Sequence, residues 1–324
     1  MPSDATRAFW VVEPGRGAIL DEPLPPPSAD DALVRTVYSG ISRGTESLVF
    51  SGRVPESEWQ RMRAPFQAGQ FPAPVKYGYC NVGCVESGPR HLAGRHVFSL
   101  FPHQARFVIP AAALHVVPDE VPPARAVLAA NMETALNSVW DADILPGDRV
   151  AVVGAGTVGA LIAWLAGRIP GTEVCLVDVN PARASVASAL GVRFALPDDA
   201  PGECDVVLHA SGSGAGLERA LQLAAFEAAV VEVSWFGAQR VSLPLGEAFH
   251  AKRLSIRASQ VGHVAASRRP RWDYRRRMAL ALSLLREPAL DVLITGEDAF
   301  DDLPTVMRAL ATGGHDAICH RIRY

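Results

Sequence analysis

Lysine is nearly missing from this 324-residue chain: Lys76 and Lys252 are the only two, and arginine carries the remaining positive charge. The skew reads as genome composition before function. Cysteine is scarce too. Cys80, Cys84, Cys175, Cys204 and Cys319 are odd in number and thinly spread, which excludes a disulfide framework. With no Cys-x-x-Cys pair there is no zinc ribbon, and none of the nine histidines falls in a His-Glu-x-x-His zincin motif. Charge of one sign is also lacking, since 31 basic against 34 acidic residues leave −3. That removes the electrostatic reason to expect nucleic acid or a membrane surface as partner. The opening MPSDATRAFW has no basic-then-apolar signal pattern. One uncharged run, Val150 to Gly167, is 18 residues long, the short end of membrane-span lengths. Its four glycines, Gly154, Gly156, Gly159 and Gly167, favour a buried strand, a tight turn and a buried helix. A cytoplasmic protein is expected.

What is present is a core. Apolar residues make up 49% and charged ones 20%, the balance of a globular chain long enough for two domains. Short β-branched runs bounded by Gly and Pro, such as ALVRTVYSG, fill the first part and read as strands. From residue 131 to 261 the rhythm changes to strands alternating with helices. RVAVVG (149–154), EVCLVD (173–178), CDVVLHA (204–210), AVVEVS (229–234) and LSIRAS (254–259) are the strands, and the alternation argues for βαβ units on a parallel sheet. Two further helices are predicted over 274–286 and 303–311. Asp273 and Asp302 stand before them as N-caps, and Gly313-Gly314 closes the second.

The strand RVAVVG runs directly into Gly154-Ala155-Gly156-Thr157-Val158-Gly159. In this Gly-x-Gly-x-x-Gly turn one glycine makes the turn and the second admits a pyrophosphate. The third lets helix and strand pack closely, and Thr157 and Val158 lie at the helix N-terminus that holds the phosphates. The next strand ends at Asp178, 19 residues after Gly159, where an acid binds a ribose 2′-hydroxyl. Asn180 is expected to cap the following helix and Pro181 to open it. A carboxylate there disfavours a 2′-phosphate, so NAD is expected over NADP; Arg183, one turn on, is the residue able to hold that phosphate instead. Further along, HASGSGAGLERAL places a small-residue turn with Ser211 where a cofactor ring has room. Packing alone is the competing explanation for both glycine turns.

Two other patterns need weighing. Gly40-Ile41-Ser42-Arg43-Gly44 matches a nucleophile elbow, but TESLVFSG does not read as the buried helix that an elbow requires. RRPRWDYRRR, from Arg268 to Arg277, holds six arginines in ten residues and reads first as a solvated loop entering a helix. Trp272 and Tyr274 interleave the arginines, so an anion site is the sharper alternative.

With these residues in view, the chain resembles the medium-chain dehydrogenase/reductase superfamily of zinc alcohol dehydrogenase relatives. The likeness runs through YSGISRGTESLVFSG (38–52), YGYCNVGCVESG (77–88), VAVVGAGTVG with LVDVNPARA, HASGSGAGLERAL and LDVLITGEDAFDDLPTVMRAL (290–310). YSGISRGTE also looks like the bacteriochlorophyllide dehydrogenase branch. The resemblance implies an α/β fold: a GroES-like β-barrel domain over 1–130, an inserted Rossmann doubly wound parallel-sheet domain over 131–261, and a return to the first domain over 262–324. It implies a nicotinamide cofactor, a small-molecule substrate in an inter-domain cleft, and is compatible with a homodimer.

The departures concern the metal. Where zinc relatives carry their ligands, this chain has Ser42 with Arg43 beside it, Tyr79 in Gly78-Tyr79-Cys80, and a third position near Ala130; the four-cysteine lobe is missing. Catalytic zinc needs three protein ligands, so no zinc is expected, with Glu133 as the one loophole. A side chain must then move the proton, and Tyr79, Glu46, Glu133 and His103 are the candidates. Tyr79, with an ordinary pKa of about 10, is a plausible acid, and works better as a base if a cation such as Lys76 or Arg43, or the nicotinamide's own positive charge, lowers that value. The resulting expectation is zinc-independent hydride transfer between NAD(H) and an alcohol or carbonyl. Reduction of an activated C=C bond, or a non-catalytic nucleotide-binding redox sensor or scaffold, are the alternatives.

Overall fold

The Gly- and Pro-bounded runs of the first 130 residues pair into two sheets, as their β-branched composition dictates. In this computed structural model, which describes residues 5–314 and 316–324, they belong to a unit of three segments, Met1–Ala130, Met278–Pro288 and Ile294–Tyr324. The smaller sheet runs in the order Arg16–Pro23, Ala5–Glu13, Val75–Lys76 and Ala68–Gly69. The larger, of seven strands, is organised around the 11-residue strand Asp31–Ile41. One end of that strand pairs with Arg106–Pro110 and the other with Cys319–Arg323, while Asn81–Ser87 runs along its opposite edge. Its alternation puts Ala32 and Val34 into a core with Val85, Val97, Phe107 and Ile109, where Phe101 and Phe107 stack at 3.9 Å. The strand then passes through Ser42 into the helix Arg43–Phe50, which buries Leu48, Val49 and Phe50. The segment expected not to form a buried helix therefore forms one. Its three buried apolar residues are consecutive rather than spaced, so periodicity could not reveal it. The elbow reading still fails, because Asp31–Ile41 pairs antiparallel with its neighbours.

The second unit, Asn131–Arg277 with Ala289–Leu293, holds six strands, all parallel. In chain order they are Arg149–Val153, Glu173–Val177, Arg193–Ala195, Cys204–His209, Ala224–Glu232 and Ser255–Ala258. They lie third-second-first-fourth-fifth-sixth across the sheet. This is the doubly wound order, with its switch point between the first and fourth strands. Five match the expected runs; Arg193–Ala195, only three residues of mixed polarity, gave no periodic signal. Asp273 caps Tyr274–Leu284 by accepting from the Arg276 N–H at 2.7 Å. Asp302 precedes Leu303–Ala311 without a side-chain cap bond.

The first unit was expected to resume at residue 262. Residues 262–277 stay instead with the second unit, and Arg277 supplies the reason. Its guanidinium is 2% exposed and donates to Glu133 at 3.0 Å, to Asn137 at 2.6 Å, and to the Val261 and His263 carbonyls. The arginine run is thus not wholly a solvated face. Arg276 lies over the Trp272 ring at 4.0 Å, Trp272 packs on Trp140, and Arg268 lies over Trp140. Among the described residues no helix is long and apolar enough to cross a membrane.

Candidate active site

In the second unit the strands end in register. Val153 pairs with both Val177 and His209, and His209 with Glu232, so Gly154, Asp178 and Ala210 leave the sheet at one level. Gly154 has φ +110°, and a Cβ there would lie 2.6 Å from the Ser211 nitrogen. A Cβ on Gly159 would lie 1.8 Å from the Gly154 carbonyl oxygen; both positions exclude any side chain. At Gly156 the opposite holds. A Cβ would meet nothing within 4 Å, and this N-cap offers no side chain to the first N–H groups of Thr157–Ala166. Open space before a helix N-terminus, flanked by half-buried Thr157 and Val158, suits a phosphate. The cradle therefore fits a dinucleotide.

Asp178 is half-buried and braces this turn. Its Oδ2 accepts from the Ala155 N–H at 2.7 Å and its Oδ1 from the Asn180 N–H at 2.8 Å. Asn180 accepts in turn from the Ala182 N–H at 3.0 Å, and the helix begins two residues later than predicted, as Arg183–Leu190. Arg183 is 8% exposed, which makes it a poor arm for a 2′-phosphate. Ser211 is exposed on the turn after Cys204–His209, with its Oγ 2.6 Å from His209 Nε2.

The first unit brings together three of the four expected proton carriers. Glu46, in the first turn of Arg43–Phe50, accepts from the Ser42 N–H at 2.7 Å and lies 2.8 Å from His103 Nε2. His103 Nδ1 lies 2.7 Å from Ser39 Oγ, which is 3.1 Å from the Tyr324 hydroxyl. Glu46, His103 and Ser39 are all buried. Tyr79 is partly exposed, and its oxygen is hydrogen-bonded by the Ser42 and Thr45 side chains. Burial first, then the nearby Cys80 and Glu46 charges, raise its pKa well above the ordinary phenol value, against the opposing pull of those two hydroxyls. Neither Lys76 nor Arg43 is among the groups that lower it. Lys76 donates instead to Glu22 at 2.6 Å and to Gln104 at 2.7 Å, and Arg43 to the Ala317 carbonyl at 3.1 Å.

Glu133 does not join this group. It lies in the second unit as the buried partner of Arg277, and burial raises its carboxyl pKa while Arg277 opposes the rise. That pairing engages the carboxylate that was the expected loophole. Ser42 and Tyr79 offer neutral hydroxyls, Ala130 a methyl, and the Cys80 thiol is pushed well up, chiefly by burial and then by Glu46 and Cys319. Among the described residues no three His, Cys, Asp or Glu side chains gather as a metal site. These residues do not fit a catalytic zinc. Sequence reasoning missed Thr45, Ser39 and Tyr324, which became neighbours only through strand pairing. It also missed His209 and Glu232, whose one signal was a polar residue closing each apolar strand.

No family model matches the chain. An uncharacterized zinc-type alcohol dehydrogenase-like protein of Haemophilus influenzae is 24% identical over 265 residues, 71% of this chain and 76% of that one. The L-threonine 3-dehydrogenase of Xanthomonas euvesicatoria pv. vesicatoria is 28% identical over 200 residues, 58% of this chain. The match spans only 56% of that relative's length. Among solved structures, a putative zinc-binding dehydrogenase from Sinorhizobium meliloti bound to NADP superposes with TM-score 0.78 at 18% identity, covering 99% of both chains. A short chain alcohol dehydrogenase from Escherichia coli CFT073 complexed with NADH superposes with TM-score 0.77 at 16% identity, covering 99% of this chain and 100% of that one. At such identities the structural likeness is one of fold.

Proposed function

We propose, for a chain that belongs to the medium-chain dehydrogenase/reductase superfamily, that it is a nicotinamide-dependent dehydrogenase interconverting an alcohol and a carbonyl without zinc. A bound nicotinamide supplies hydride chemistry. The chain's own residues bind it and move the proton. Gly154, Gly156 and Gly159 admit the pyrophosphate to the N-terminus of Thr157–Ala166, and Asp178 stands at the ribose. Tyr79 is the observation that carries the metal-free reading. A phenol held by two hydroxyls, with its pKa raised, is a neutral proton donor at physiological pH and gives its proton to the substrate oxygen on reduction. Oxidation is the reverse of this step and runs from the phenolate form, which accepts the substrate hydroxyl proton. Glu46 and His103, engaged with each other and buried, hold the helix that carries Ser42 and Thr45 and so fix the Tyr79 donor.

Two measurements test this reading. Oxidation or reduction of small alcohols and ketones is expected to survive exhaustive chelation with less than about a twofold change, and elemental analysis is expected to find substoichiometric zinc. Stoichiometric zinc whose removal abolishes turnover would defeat the proposal, because a metal Lewis acid would then do the work assigned to Tyr79. Titration of both cofactors tests Asp178. Unit charges about 4 Å apart interact by up to ~4 kcal/mol at an effective dielectric near 20, and a third of that is roughly tenfold in affinity. NADH is expected to bind at least about tenfold tighter than NADPH; tighter NADPH binding would refute the assignment of Asp178 to an unphosphorylated ribose.

A further inference from the structure

Ser211, His209 and Glu232 form an unbroken hydrogen-bond chain at the carboxyl edge of the parallel sheet. Ser211 Oγ lies 2.6 Å from His209 Nε2, and His209 Nδ1 lies 2.7 Å from Glu232 Oε2. The other carboxylate oxygen, Oε1, accepts from the Ser234 N–H at 2.7 Å, and Ser234 Oγ accepts from the Gly212 N–H at 3.0 Å. The imidazole is fully buried while Ser211 is exposed. Room for the chain is built in. A Cβ on Gly216 would fall 2.2 Å from Ser211 Oγ and 2.9 Å from His209 Nε2, so the helix Gly214–Leu223 passes over it only as glycine. The place in the fold is also specific, because Ser211 follows the fourth strand at the switch point and packs its backbone against Gly154. In open parallel sheets ligands bind at that crevice.

We propose that this chain sets the polarity of Ser211 toward the dinucleotide, with His209 and Glu232 as positioning residues; the inference rests on the nicotinamide-dependent reading above. A carboxylate only accepts, so Glu232 accepts the hydrogen bond from the Nδ1–H of His209. In that Nδ1–H tautomer Nε2 is an acceptor, and the Ser211 hydroxyl donates to it. Ser211 Oγ also accepts from the Ser213 N–H at 3.2 Å, which leaves one lone pair on an exposed residue. Ser211 is thereby presented as an acceptor for a hydrogen-bond donor on the cofactor, an amide N–H or a ribose hydroxyl. A nucleophilic role for Ser211 is not favoured, since the buried His209 has no access to protonate a leaving group.

Glu232→Gln tests the polarity itself. The Ser234 N–H pins the amide oxygen, so the amide NH2 faces His209 Nδ1 and can only donate. The imidazole must then carry its proton on Nε2 and donate to Ser211, whose own proton turns outward. The variant is isosteric and leaves every bond satisfied, so a merely structural role predicts no change in binding. Equilibrium titration by NADH fluorescence is expected to show Ser211→Ala about fivefold weaker than wild type, the size of one neutral hydrogen bond. Glu232→Gln is expected to be at least as weak, and the double variant no weaker than Glu232→Gln alone. With 3-acetylpyridine adenine dinucleotide, which lacks the amide N–H, the Ser211→Ala loss disappears if the amide is the donor and persists if a ribose hydroxyl is. Affinities equal to wild type in Glu232→Gln, or losses that multiply in the double variant, would overturn the proposal. Should Glu232→Gln fold poorly, Ser211→Ala decides alone, because its side chain is on the surface; unchanged NADH affinity overturns the assignment. Wild-type protein that binds neither NADH nor NADPH overturns the functional reading with it, whereas tight wild-type binding with an indifferent Ser211 overturns this inference only.

Discussion

Replacing Tyr79 with Phe is expected to lower turnover by at least about a hundredfold while leaving NADH affinity unchanged. General acid–base catalysis typically contributes 10² to 10⁴-fold, and the variant deletes the proton donor without removing the ring. The Tyr79 pKa is raised, by burial first and by the Cys80 and Glu46 charges after it. A raised phenol pKa keeps the proton on oxygen throughout the neutral range and beyond the ordinary value near 10. Carbonyl reduction is therefore expected to show no alkaline loss from this group below about pH 10. Steady-state kinetics over pH 6–10 on both proteins is the measurement. A Phe variant as fast as wild type would reduce Tyr79 to a space-filling ring.

Arg277→Met is expected to cost about 3–5 kcal/mol of stability, the range for breaking a buried ion pair by removing one partner. The guanidinium is 2% exposed and satisfies Glu133, Asn137 and two backbone carbonyls at once. Without it the Glu133 carboxyl, whose pKa burial already raises, faces an apolar interior with no counter-charge. Arg276, exposed over Trp272, is the contrast; Arg276→Ala should cost about 1 kcal/mol or less. A double variant, Arg277→Met with Glu133→Leu, should recover part of the loss, because a buried pair replaced by apolar groups is often neutral. Urea unfolding of the three variants decides it, and an Arg277→Met protein as stable as wild type would remove Glu133 from its structural role.

Local signals made the second unit legible. Five of its strands contain runs that local pattern could find, Arg193–Ala195 being the exception, and the turn at Gly154–Gly159 declares itself because two of its positions physically exclude a Cβ. The group proposed to carry the proton was legible as a set of residue types but not as a geometry. Glu46 and His103 are 57 positions apart, and Ser39 reaches Tyr324 across 285; only strand pairing decides which meet. Glu133 shows the converse error, since a carboxylate beside a family motif looked chemical until Arg277, 144 residues on, claimed it. Pairing also explains Lys76, whose partner Glu22 sits on the strand Arg16–Pro23, 54 positions away in the chain.

The segmentation of the first unit imposes an order on folding. The strand Asp31–Ile41 cannot complete its pairing until Cys319–Arg323 arrives, whereas the second unit is continuous over Asn131–Arg277 and lacks only Ala289–Leu293. Loop-closure entropy grows slowly, by about 0.6 kcal/mol per doubling of length, but pairing at such separation is slow. During synthesis the second unit can therefore nucleate while the flanking β-unit still waits for its last strand. Until then the edge of Asp31–Ile41 that Cys319–Arg323 will cover stays unpaired, a template for aggregation. Once the parallel sheet has formed, the intervening 131–277 segment is no longer a random coil, and the two halves of the β-unit are joined across a folded body instead of a long loop.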